Sequence, residues 1–168
     1  MAKIKSTLDL VMERTKNIAV SQEDREALRR KECEDKVRGW VAMLRDGKLT
    51  TRELIKEYSA ESSRYSPLTG ILRSELLRAI DPDADNSSII QALTQALHMD
   101  LAPVADSIKD YHARYEVIKG EHLGRLKSTF TDMGISGTAL VPNLDQDETW
   151  IATVNSLKEQ FSRKILAG

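Results

Sequence analysis

Ser6-x-x-Asp9, Ser21-x-x-Asp24, Thr50-x-x-Glu53 and Asp145-x-x-Glu148 each place a short oxygen-bearing residue three positions ahead of an acid. Apolar residues at helical spacing follow each one. At a helix start, the first side chain accepts a backbone N–H that lacks a partner within the helix. The acid lies where the helix dipole is positive. Four such starts, with almost no alternating strand pattern between them, predict a chain of amphipathic helices.

The apolar stripes agree. Ile4, Leu8, Val11, Thr15 and Ile18 step by four and three, which predicts a first helix over residues 6–18. After Ala19-Val20, the Ser21 cap opens a second helix running to Asp46, with Gly47 as its stop. Cys33, Val37, Trp40, Val41 and Leu44 form its stripe. Residues 21–36 are nearly all charged and have little to bury. Leu54, Ile55 and Tyr58 mark a third helix, and Ser66-Pro67 reads as cap and first helical residue of a fourth. That helix carries Leu68, Ile71, Leu72, Leu76, Ala79 and Ile80 and stops at Asp81-Pro82.

A polar loop, residues 81–88, precedes a fifth helix on Ile89, Ile90, Leu93, Ala96 and Leu97. The sixth starts near Pro103. Its heptad-like stripe of Leu101, Val104, Ile108, Tyr111, Tyr115 and Ile118 slips at Gly120 to Leu123, Leu126, Phe130 and Met133. A kink or break is expected at that glycine. Residues 134–144 are apolar without helical spacing and read as an extended connection lying on the bundle. A last helix over 146–165 carries Trp150, Val154, Leu157, Phe161 and Ile165.

The expected fold is all-α, a bundle of about six to seven amphipathic helices. At 168 residues the chain suits one domain, with residues 1–36 as a projecting or dimer-exchanging arm. Only 5% of residues are aromatic, so aliphatic side chains must build most of the core. The net charge of −1 gives no field for drawing in a polyanion. Cys33 is the only cysteine, which excludes an intramolecular disulfide and fits a reducing, cytoplasmic setting. No apolar run approaches the ~20 residues of a membrane span, and Asp9 and Glu13 interrupt the start where a signal core would lie.

Few residues suggest chemistry. Asp81, Asp83 and Asp85 alternate like the opening of a calcium loop. Such a loop needs glycine at its sixth position and glutamate at its twelfth, where this chain has Asn86 and Ala92. The residues read instead as a solvated turn in which Asp85 or Asn86 caps the next helix. His112 and Glu116 are i,i+4 neighbours and candidate metal ligands. His122 lies about 15 Å further along the same helix, too far to join them. Glu23-x-x-Glu26 and Glu32-x-x-Asp35 resemble the paired acidic signatures of helical magnesium-dependent nucleotide pyrophosphohydrolases. In that family the two signatures face one another from separate helices. Here both fall on one predicted helix, interleaved with Arg25, Arg29, Arg30 and Lys31, and read as a solvated, ion-paired face. The Arg29-Arg30-Lys31 cluster has no interleaved aromatic to stack on bases. No histidine is near Cys33 in sequence to activate it, and no Gly-x-Ser-x-Gly or phosphate loop is present.

No catalytic set and no cofactor motif emerges. The expected role is association without catalysis, chiefly as a homodimer or with a protein partner. Val37, Trp40, Val41 and Leu44 would lie in or near the shared core. A metal- or nucleotide-dependent enzyme or small-ligand binder, with its pocket under residues 134–144, is the alternative. A nucleic-acid-associated protein is the second alternative.

Overall fold

The computed structural model describes residues 21–135, 137 and 142–167. The expected first helix over 6–18 and the Ser6 cap lie outside these residues, as do Ser136 and residues 138–141 of the apolar connection. All regular structure among the described residues is helical. The six α-helices are α1 (Gln22–Arg45), α2 (Thr51–Ser62), α3 (Leu68–Arg78), α4 (Ser87–Leu97), α5 (Ala102–Asp132) and α6 (Glu148–Ala167), with one 3-10 turn at Leu144–Gln146.

Two of the expected starts form full capping boxes. The Ser21 hydroxyl accepts the Asp24 N–H at 3.0 Å while the Asp24 carboxylate accepts the Ser21 N–H at 3.3 Å. The Thr50 hydroxyl accepts the Glu53 N–H at 3.3 Å, and the Glu53 carboxylate takes the Thr50 N–H at 2.8 Å. Each box satisfies two N–H groups that would otherwise lack partners. Gly47 ends the α1 region with φ +70°, which costs glycine nothing. The chain then folds back so that Lys48 and Leu49 donate to the Met43 carbonyl.

Three boundaries differ from the sequence reading. Pro67 precedes α3 rather than opening it, and no side chain caps that helix. α5 runs unbroken through Gly120, because a glycine removes no backbone hydrogen bond. The last helix is capped by Asp147, not Asp145. The Asn143 side chain takes the Asp145 N–H at 3.1 Å and nucleates the 3-10 turn, and Asp147 then accepts the Trp150 N–H at 3.0 Å.

α3 is the centre of the packing and touches α1, α2, α4 and α6. Its Leu68, Leu72 and Leu76 are buried among Val37 and Leu44 of α1, Leu54 of α2, and Ile89, Ala92 and Leu93 of α4. α5 and α6 form an antiparallel hairpin, and α6 alone carries it onto α3. Four of the chain's eight Phe, Trp and Tyr residues zip this hairpin together. Tyr111 meets Phe161 edge-on at 5.7 Å, Tyr115 lies 6.2 Å from Tyr111, and Trp150 lies 5.5 Å from Tyr115. Such edge and offset contacts add to the burial they accompany.

The hairpin is uneven. α5 has 31 residues and α6 has 20. At 1.5 Å per residue, α5 is longer by about 16 Å. The pairings Lys164–Asp110 and Trp150–Tyr115 fix the register, so the surplus lies at the C-terminal end of α5.

Candidate functional site

The Asp81–Ser88 loop is held by its own side chains and by the hairpin. Asp83 accepts the Tyr111 hydroxyl at 3.0 Å and the Lys158 ammonium at 2.7 Å. Lys158 also lies 3.6 Å from Asp81. Burial works to raise the Asp83 pKa, but the Lys158 and Tyr111 hydrogen bonds outweigh it and hold the carboxyl below its ordinary value. Burial first, then the hydrogen bond to Asp83, pushes the Tyr111 phenol up. Asp85 turns elsewhere and accepts both the N–H and the hydroxyl of Ser87, the first residue of α4. Asn86 stands at the N-cap position without a side-chain cap bond, and Asp85, one residue before it, takes the Ser87 N–H instead. Asn86 is buried and ties the loop to itself. The three aspartates serve three separate tasks, and no group of three metal-ligating side chains occurs among the described residues.

A depressed carboxyl pKa contributes stability that is complete above the unfolded value and is lost as pH falls through the folded one. For Asp83 that window opens below about pH 4. Urea titrations from pH 6 to pH 2 should show wild type losing more stability in that window than Asp83→Asn. Parallel curves would mean that the Lys158 pairing contributes nothing.

The second polar node was not legible in sequence. His122 is buried at the hairpin beside the Trp150 ring, 5.5 Å away. Its Nε2 is 3.1 Å from Asp147, and the Arg125 guanidinium is 3.3 Å from its Nδ1. A guanidinium only donates, so Nδ1 must accept. Nε2 then carries the proton and donates to Asp147. Both ring nitrogens are thus committed to structure. The Trp150 N–H first, and His122 second, hold the Asp147 carboxyl below its ordinary range. The only local signal was Asp147-x-x-Trp150; His122 is 25 residues away.

His112 and Glu116 are both exposed on α5, one turn apart, with no third ligand beside them among the described residues. Glu23, Glu26, Glu32 and Asp35 are exposed along α1. The charged face there is laced by Arg30–Glu34 at 2.9 Å and Arg38–Asp35 at 3.4 Å, with Lys36 reaching Glu61 of α2 at 2.7 Å. Arg29 donates to the Arg64 carbonyl and lies over the Tyr65 ring. Cys33 is half-buried and packs against the core.

Val37, Trp40, Val41 and Leu44 are buried in the chain's own core. α3 and α4 cover them, so this stripe is filled without a second subunit. Single exposed apolar side chains, Leu28, Met43, Val117, Ile151 and Leu166, are scattered over the helices, and a further run lies at the C-terminal end of α5. Leu123, Leu126 and Phe130 are only partly buried and stand apart from the core cluster. Met133 is 67% exposed and Ile135 is 45% exposed. Their steps of three, four and three from 123 to 133 place the first four on one ridge, where α5 extends past α6. Asp147, the cap of α6, meets α5 at His122, so the ridge begins where α6 begins. This ridge is the candidate functional surface. The pocket expected under residues 134–144 falls in part on Ser136 and residues 138–141, outside the described residues.

Comparison of the chain with protein-family models, with curated proteins and with solved structures finds no match.

Proposed function

We propose that this chain works without catalysis, by associating with a second copy of itself through the distal third of α5. The observation that carries the reading is the ridge of Leu123, Leu126, Phe130 and Met133, which the chain's own helices leave partly or largely uncovered. Its spacing is that of a heptad seam, and two such seams laid together bury one another about a twofold axis. A net charge of −1 opposes such pairing little. The exposed, charged face of α1 offers a second, polar contact. No helix among the described residues is long and apolar enough to cross a membrane. A cytoplasmic setting accords with the lone Cys33.

Light scattering coupled to size exclusion tests the proposal. Wild type should elute with about twice the 18.9 kDa chain mass. Leu126→Asp/Phe130→Asp should elute as a monomer with an unchanged circular dichroism spectrum, because neither side chain belongs to the core cluster. A wild type that stays monomeric at high concentration would defeat the proposal. So would a dimer that survives the double substitution.

A further inference from the structure

A groove of about 320 Å³ lies where α3, the start of α5 and the end of α6 meet. Leu77, Val104 and Ile165 form its buried floor, with Met99 and Pro103 as walls. Ser107 also reaches it, but its hydroxyl donates to the Pro103 carbonyl at 2.8 Å, so the floor stays apolar. This volume and lining are those of a small-molecule site.

The rim is polar and mostly cationic. Arg73 of α3 and Lys164 of α6 both line it. The one acid there, Asp100, accepts the Ala102 N–H at 3.0 Å and closes the start of α5. Lys164 lies 2.9 Å from Asp110, but its side chain is about half exposed, and such pairs are weak. Asp110 also holds Arg114 at 3.3 Å, so it keeps a cation when Lys164 turns toward the groove.

We propose that this groove binds a small amphipathic anion, an aliphatic monocarboxylate. Its chain lies on Leu77, Val104 and Ile165, and its carboxylate pairs with Lys164. The site shares no residue with the α5 ridge and does not rest on the association reading.

Amide shifts in a nuclear magnetic resonance titration test it, with decanoate, decanol and decyltrimethylammonium as probes below their micelle concentrations. Decanoate should shift Leu77, Met99, Val104 and Ile165 saturably, decanol more weakly, and the cationic probe least. Lys164→Gln, at an exposed position, should weaken decanoate about tenfold and leave decanol unchanged. Met99→Trp should fill the wall and abolish both. The proposal is overturned by the absence of a saturable shift, by equal binding of decanoate and decanol, or by a Lys164→Gln protein that binds decanoate normally. Shifts confined to residues 123–133 would also overturn it, since they report the ridge instead.

Discussion

Replacing Leu72 with alanine is expected to lower the unfolding free energy by about 3 to 4 kcal/mol. Leu72 is 0% exposed at the middle of α3, the one helix that touches four others. The substitution loses the transfer energy of the removed carbons and leaves a cavity. The surrounding leucines, Leu68 and Leu76 on the same helix and Leu54 and Leu93 facing it from the core, are held by the rest of the bundle and close the space only in part. Leu28→Ala is the control. Leu28 is 57% exposed on the charged half of α1, and its loss should shift stability by less than about 0.5 kcal/mol. Urea denaturation followed by circular dichroism measures both. A Leu72→Ala loss below about 1 kcal/mol would show that α3 is not the centre of the core.

Asn86→Ala is expected to cost about 2 to 3 kcal/mol, large for a loop residue. Asn86 is 9% exposed. Its Oδ1 accepts the Asp81 N–H at 3.0 Å, and its Nδ2 donates to the carbonyls of Asp81 at 2.7 Å and Ala84 at 3.0 Å. Alanine leaves those backbone groups without these partners in a partly buried turn, where each is costly. The loop also presents Asp83 to Tyr111 and Lys158, so its loosening reaches the hairpin. Asn86→Asp separates the causes. It keeps the acceptor, loses both donors and turns a negative charge toward two carbonyl oxygens, so it should cost at least as much as alanine. An Asn86→Ala protein within 0.5 kcal/mol of wild type, by the usual tolerance of surface positions, would mean that the loop holds its shape without the amide.

A turn with a capping side chain was legible because Asp85 and Ser87 are two residues apart. That the buried residue is Asn86 was not legible, since burial is a property of the folded packing and not of spacing. Likewise the stripe of Val37, Trp40, Val41 and Leu44 announced its need for cover, and the chain's own α3 and α4 supply it. The stripe of Leu123, Leu126 and Phe130 looked equally ready for burial, yet α6 begins too late in space to cover it. Nothing in either spacing distinguishes the two fates.

Helix identity, the Ser21 and Thr50 caps, the Gly47 stop and the all-α class were determined by the sequence alone. Each depends on residues within about one turn of one another, where covalent geometry already brings the groups together. The His122–Asp147 and Tyr111–Asp83 pairs, the Lys164 rim of the groove and the choice of exposed ridge were decided only by tertiary structure. These contacts join residues 25 to 54 positions apart. Apolar stripes are chemically alike, so which one meets which follows from helix lengths, register and the closeness of packing across the whole bundle.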